Sequence, residues 1–455
     1  MPRTTDRFSR LRALEPARPS AAPPDRPRLC APDEEDALAQ LLGAGVVGNH
    51  FGEHLAIRNW YSTPEYAEPS AITLELLSRT RDAFLPPKTR AMLEDPSRWL
   101  FLDTETTGLA GGTGTYAFLI GVGWWDAGGF EVEQFFMRDF TEEYSLLQEL
   151  AVRITERPVL LTFNGKSFDW PLLENRFAMT RSIVAPKLAA HLDLLHPARA
   201  LWKLRLGSVR LVELERRVLD RERLGWQRKD DVDCTRIPQH YFDYLRGGPV
   251  APLAGVVRHN QMDLRGLAAL FGKINRMLSD SADRLGEYDS LDLFGLSRFF
   301  ERRGDSARAD IACAQALALG LPGDVRGRAQ KELARMAKRR GEHERAAGIW
   351  EEMVRDSRDE VHACEQLAIY YERRAKDSER ALEYARLGLA RLRRQRTASS
   401  GHAHDPSLAS RLARQEKHLI ERSARLERKA PPRSSRAPRR GAPGAAEPKA
   451  NSALW

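Results

Sequence analysis

The chain has 455 residues, 42% of them hydrophobic, and carries a formal net charge of +9. That length accommodates two or three domains with cores of their own. Its four cysteines, Cys30, Cys234, Cys313 and Cys364, form no Cys-x-x-Cys pair, which excludes a zinc knuckle or a disulfide framework and favours a reducing, cytoplasmic setting. The longest run of apolar and glycine residues, "YAFLIGVGWW" from Tyr116, is about half a bilayer span, so no membrane partner is expected.

Residues 1–32 are rich in arginine and proline without an apolar core, and read as a disordered leader. Residues 33–95 read as an N-terminal extension packing on the domain that follows, with a short helix over Asp33–Leu42 and a strand at "HLAIRNWY", His54–Tyr61. A clearer pattern begins at Trp99. Three apolar segments, "WLFL", Ala117–Trp125 and "FEVEQFF", are separated by the loop "GLAGGTGTYA" and the turn "DAGG", which predicts an antiparallel meander. The stretch "TEEYSLLQELAVRI" places Tyr144, Leu147, Leu150, Ala151 and Ile154 at helical spacing behind Thr141 as N-cap. "PVLLTFNG" then reads as a buried strand, Phe168–Phe177 as a helix, and "HLDLL" around Asp193 as a further strand. His191 and His196 flank that strand without a ligand-like pattern and read as structural. The order predicts an α/β layer architecture.

Between Leu291 and Leu392 the texture becomes alanine-rich and helical. Gly304 and Gly341 recur 37 residues apart and Ala346 and Ala381 recur 35 apart. A period in the mid-thirties, with two helices per unit, resembles tetratricopeptide repeats over 290–395, the third unit carrying one extra residue. A helix over 405–430 can cap the stack. The tail, 431–455, is basic and rich in Pro, Ala and Gly, and reads as disordered. From Arg422 to Lys449 nine basic residues face only Glu427 and Glu447, so much of the positive charge is local to this end. It can attract phosphates without sequence preference or simply solubilise the chain.

The chemistry concentrates in three places. In "FLDTETTGL", Asp103 and Glu105 alternate with Thr104 and therefore face one side of a strand end. Carboxylates that close repel unless a cation lies between them, and hard divalent ions favour such oxygen ligands. In "FNGKSFDWPLL", Asp169 opens a helix behind a loop containing Asn164 and Lys166; the alternative reading is a helix cap. In "HNQMDLRGL", His259 and Asp263 are four apart on one helix face; the alternative is an exposed hydrogen-bonded couple.

Taken in order, these motifs resemble the DEDD superfamily of 3′-to-5′ exonucleases over Arg98–Leu278, and with the helical region behind them look most like the YprB-type ribonuclease H-like proteins. The resemblance implies an RNase H-like mixed sheet with flanking helices over 96–280, followed by the all-α repeats. It also implies two Mg2+ or Mn2+ ions, with Asp103 bridging them, Glu105 and Asp263 completing one site and Asp169 holding the other ion through water. His259 would act on the attacking water. Thr106, Gly108 and Leu109 would lie against the terminal nucleotide, with Asn164 and Lys166 as further substrate contacts. The implied partners are single-stranded DNA or RNA ends, and a protein docked on the repeats. One departure stands out: the histidine subclass spaces its base five residues before the last aspartate, whereas here the spacing is four, as in the tyrosine subclass, a rotation of about 100° on a helix. The alternative function is a catalytically weak or inactive nucleic-acid-binding scaffold on the same fold.

Overall fold

The computed structural model describes residues 37–62, 87–108, 114–126, 128–219, 228, 231–356, 361–399 and 406–429. The expected leader, the expected basic tail and Leu109 lie outside these residues. Two compact units divide the chain, 1–321 and 322–455.

In the first unit the strands are β1 (Gly45–Asn49), β2 (Gly52–Ser62), β3 (Trp99–Thr106), β4 (Ala117–Asp126), β5 (Gly129–Phe136), β6 (Val159–Thr162) and β7 (Ala190–Asp193). They form one mixed sheet in the order β1-β2-β5-β4-β3-β6-β7. The meander β3–β4–β5 is antiparallel, whereas β6 pairs parallel with β3 and β7 pairs parallel with β6, each reached through a helical crossover. Residues 45–62 supply two strands of this same sheet, with β2 paired to β5.

The helices of this unit are α1 (Ala37–Leu42), α2 (Pro87–Leu93), α3 (Glu143–Glu156), α4 (Asp169–Thr180), α5 (Leu195–Leu206), α6 (Leu211–Arg217), α7 (Ile237–Leu245), α8 (Ala251–Ser279), α9 (Ser290–Arg302) and α10 (Ser306–Leu319). The 29-residue α8 crosses β3, β4 and β5, which makes it the element that can carry side chains to the end of β3. Ahead of α3, the expected cap Thr141 is corrected. A short 3-10 turn over Phe140–Glu142 intervenes, and Asp139 caps it by accepting the Thr141 N–H at 2.7 Å. Tyr144, expected on the apolar face of α3, is exposed, while Leu147, Leu150 and Ile154 are buried.

β3 explains why its acids sit where they do. Trp99, Leu100, Phe101 and Leu102 are all buried. Trp99 packs edge-on against Phe271 of α8 at 5.0 Å, and Phe101 against Trp125 at 4.9 Å. The first half of the strand is thus fixed in the core, and the second half, Asp103–Thr106, emerges at its rim.

His54 on β2 is fully buried, with Nδ1 2.8 Å from the Ser145 hydroxyl. Burial, with Arg138 assisting and Glu133 opposing, lowers its pKa to about 4. The unfolded imidazole titrates near 6.5, so this group's contribution is complete above about pH 6.5 and is lost as pH falls towards 4. The expected loss is about 2 kcal/mol. Urea unfolding at pH 7.5 and pH 5 should show it, with a shallower pH dependence in His54→Asn; identical slopes in the two proteins would refute the assignment.

The helical region begins inside the first unit. α9 packs on α5 so closely that a Cβ on Gly295 would meet the Leu201 carbonyl oxygen at 2.4 Å, and α10 packs on α9. The second unit contains α11 (Gly323–Arg339), α12 (His343–Asp356), α13 (Val361–Tyr370), α14 (Ser378–Ser399) and α15 (Pro406–Lys429), each packed on the next. Small residues such as Ala334, Ala346, Ala363 and Ala381 let these helices approach around Trp350, Leu367 and Leu426. Gly304 and Gly341, the residues recurring 37 apart, both have positive φ just past a helix end, the conformation glycine adopts without a Cβ penalty. A π-helical turn at Tyr371–Ala375 follows α13.

Candidate functional site

Three segments meet at the end of β3. From α8, the Asn260 amide donates to Asp103 Oδ2 at 2.7 Å. Gln134 of β5 in turn donates to Asn260 Oδ1 at 2.7 Å and to the Val257 carbonyl at 2.9 Å, and Gln261 donates to Gln134 Oε1 at 2.8 Å. Asn260 and Gln134 are fully buried. Their hydrogen bonds therefore fix the Asp103 carboxylate from behind, where water does not compete. Sequence reading passed over both, since a lone Asn and a lone Gln carry no motif.

This approach of α8 to the sheet depends on Gly121 of β4. A Cβ there would lie 2.1 Å from Asn260 Oδ1 and 2.8 Å from Leu264 Cδ1. Gly121→Ala is expected to lower stability by about 1–3 kcal/mol, because both neighbours are packed in the interior. Thermal unfolding measures this, and an unchanged midpoint would contradict the close packing.

From the second motif, Asp169 stands at the first turn of α4, and the Thr104 hydroxyl donates to its Oδ1 at 2.6 Å. The loop before it is organised by Asp193 at the end of β7. One Asp193 oxygen accepts the backbone N–H groups of Asn164 at 2.8 Å and Leu195 at 3.0 Å, and the other accepts that of Lys166 at 3.2 Å. Asn164 has φ +70°, and a Cβ on Gly165 would collide with Thr162. Asn164 and Lys166 thus give their backbone to the loop, while the Lys166 side chain is exposed. Asp193, read from sequence only as part of a strand, shapes the turn that delivers Asp169.

On α8, His259 and Asp263 face the same cluster. His259 is only 4% exposed, so it does not belong to an exposed couple. Its Nδ1 lies 2.7 Å from Asp231 Oδ1, and its Nε2 lies 3.5 Å from both Asp263 Oδ2 and the Cys234 sulfur. Arg228 also enters, donating to Glu215, Asp231 and Asp263. Asp231, Arg228 and Glu215 come from a stretch with no recognisable pattern and were not anticipated.

At the end of β3 the pairing with β4 shifts register between Glu105 and Thr106. The Thr106 hydroxyl then donates to the Gly108 carbonyl at 2.9 Å, closing the turn.

The electrostatics are those of crowded anions. Burial, followed by the charges of Asp263, Glu105 and Asp169, raises the Asp103 pKa well above the usual carboxylate range, with His259 opposing. Glu105 is pushed to about 8, chiefly by burial, with Asp263, Asp169 and Asp231 adding and His259 opposing. Asp169 is raised by burial and held back by its hydrogen bonds to Thr104. Burial disfavours charge on His259, but Cys234, Asp263, Glu105 and Asp231 outweigh it and push its pKa to about 11.

An all-oxygen set of Asp103, Glu105, Asp169 and Asp263 suits a hard divalent ion, and the mutual destabilisation of these acids is what such an ion relieves. Among the described residues, no three His, Cys, Asp or Glu side chains stand ready to coordinate one. Asn260, Thr104 and Arg228 each hold one of the acids. No described helix is long and apolar enough to cross a membrane.

Comparison with known proteins agrees with this architecture. The chain is 29% identical over 294 residues to "Uncharacterized protein YprB" of Bacillus subtilis (strain 168), covering 64% of this chain and 68% of that one. A family model described as RNase_H superfamily matches residues 100–275. That span runs from β3 through most of α8 and contains all four converging acids and His259. Contributing β3–β7 of the mixed sheet and its flanking helices, the segment 100–275 is an RNase_H superfamily domain.

Proposed function

We propose that this protein is a metal-dependent 3′-to-5′ exonuclease that hydrolyses phosphodiester bonds at single-stranded DNA or RNA ends. The observation that supports this best is the convergence of Asp103, Glu105, Asp169 and Asp263 with His259 at one strand end. Asp103, Glu105, Asp169 and Asp263 would hold two Mg2+ or Mn2+ ions, which when bound supply positive charge to the attacking and leaving oxygens of the phosphodiester.

The chain's own groups supply the rest. Asn260 and Thr104 orient Asp103 and Asp169 through the bonds already described. Asp231 holds His259 by Nδ1, leaving Nε2 to take a proton from the attacking water. Neutralising the acids would lift the field that keeps this imidazole protonated. Thr106, Gly108 and Leu109 would lie against the terminal nucleotide, and Asn164 and Lys166 near its phosphate. The tetratricopeptide-like helices would dock a protein partner in the cytoplasm.

End-labelled DNA and RNA oligonucleotides incubated with Mn2+ or Mg2+ test the reading. Stepwise loss from the 3′ end, blocked by a 3′-phosphate cap, is expected; equal cleavage of capped strands would refute it. The scaffold reading draws on one observation, the attachment of Arg228 to Asp263. Tight oligonucleotide binding with no hydrolysis in either metal would establish that reading instead.

A further inference from the structure

We propose that Arg228 is a built-in counter-ion of this site: in the metal-free protein its guanidinium occupies the cation position beside Asp263, and a divalent ion binds there only by displacing it. The proposal rests on the reading of Asp263 as a metal ligand.

The arrangement around Arg228 is specific. Its side chain is 3% exposed. On one side it meets Glu215 of α6 as a fork, Nε donating to Oε2 at 2.6 Å and Nη2 to Oε1 at 2.8 Å. Glu215 is fully buried and fits against α8 only because Gly266 has no side chain, since a Cβ there would lie 2.2 Å from Oε1. On the other side Nη1 donates to Asp231 Oδ2 at 2.8 Å, and Nη2 donates to Asp263 Oδ1. The His259 ring nitrogen Nδ1 is 3.3 Å from Nη1.

Three carboxylates therefore share one guanidinium, and only Asp263 belongs to the four-acid set. A divalent ion at Asp263 and the guanidinium cannot share the carboxylate without strong like-charge repulsion across a few ångströms of poorly solvated interior. Glu215 and Asp231 resolve the conflict. They retain Arg228 when it leaves Asp263, so that displacement does not strand a buried charge. A planar fork is suited to this, because its geometry lets one guanidinium serve several acceptors at once. Arg228 then sets a threshold on metal binding: it screens the acids when the site is empty of ions and opposes loading of the ion at Asp263.

The test is calorimetric titration of Mn2+ into the full chain, in wild type, Arg228→Lys, and the double variant Arg228→Gln with Glu215→Gln. The double variant leaves the net charge unchanged and keeps a hydrogen-bonded buried pair, so tighter binding in it does not come from bulk charge. The expected result is an affinity gain of about tenfold in the double variant. A smaller gain is expected in Arg228→Lys, which keeps a cation for Glu215 without the fork. Far-ultraviolet circular dichroism selects the folded variants, and either one alone decides the matter. Wild-type binding that neither folded variant improves overturns the proposal while leaving the metal site standing. No Mn2+ binding by any of the three proteins overturns both the proposal and the metal-dependent reading. An Asp103→Asn control identifies the site being titrated.

Discussion

Asp103→Asn is expected to abolish hydrolysis, to remove the stabilisation that Mn2+ gives the wild type, and to raise the melting temperature of the metal-free protein. The first two effects follow from the position of Asp103, since the charges of Asp263, Glu105 and Asp169 all bear on its carboxylate. Loss of a ligand that serves the developing charge on phosphate costs several kcal/mol, and a fall in turnover of about 1,000-fold or more is expected. The third effect has the opposite sign. In the presence of a chelator, burial and crowding disfavour the charged forms of Asp103 and Glu105. Glu105 titrates at about 8 in the folded protein, against about 4.3 unfolded. Between those values the folded state keeps a proton that the unfolded state has released, so the Glu105 contribution to metal-free stability is full below about pH 4.3 and declines as pH rises to 8. Asparagine neither buries a charge nor takes up a proton on folding, so Asp103→Asn relieves part of that cost. With about 2 kcal/mol recovered, the metal-free melting temperature rises by about 4–8 °C. Differential scanning fluorimetry in chelator and in Mn2+ measures both, and a variant that still gains stability from Mn2+ would remove Asp103 from the metal site.

Asp103, Glu105, Asp169, His259 and Asp263 are legible in the sequence because each lies on a short local pattern: an apolar strand ending in acids, a helix start, a helical i,i+4 pair. The meander β3–β4–β5 is legible for the same reason, with glycine-rich connections between successive apolar runs. What escapes is non-local. The pairing of β2 with β5 joins segments far apart in the chain, with Leu55 opposite Phe136, and nothing near either strand announces it. Asn260 bonds Asp103 across 157 positions, and Gly121 matters only because another helix crosses it. Arg228, Glu215 and Asp231 belong to the site purely by folding, so spacing rules have no hold on them. The helix-rich C-terminal region occupies an intermediate position. Gly304 and Gly341 mark helix ends in the sequence, but the attachment of α9 to α5 through Gly295 is a property of surfaces that no local pattern announces.

His259→Ala is expected to lower turnover by about 100- to 10,000-fold, the range for loss of a positioned acid–base group, while Mn2+ still stabilises the variant. The spacing of four between His259 and Asp263 differs from the five of the histidine subclass, and the structure shows what accompanies it. Residues four apart share a helix face, and Nε2 of the imidazole lies 3.5 Å from Asp263. The ring's orientation is set by Asp231, which bonds Nδ1 at 2.7 Å and so leaves Nε2 as the nitrogen facing the acids. Two comparisons separate a proton-handling role from a packing role. Asp231→Asn keeps a hydrogen-bond acceptor for Nδ1 but loses its charge, and is expected to reduce kcat by about tenfold with little change in KM. His259→Gln fills similar space without a titrating nitrogen and is expected to be as inactive as His259→Ala. Single-turnover hydrolysis of a labelled oligonucleotide at saturating Mn2+ distinguishes these cases. Near wild-type turnover in His259→Gln would assign the imidazole to packing alone, leaving the proton of the attacking water to another group.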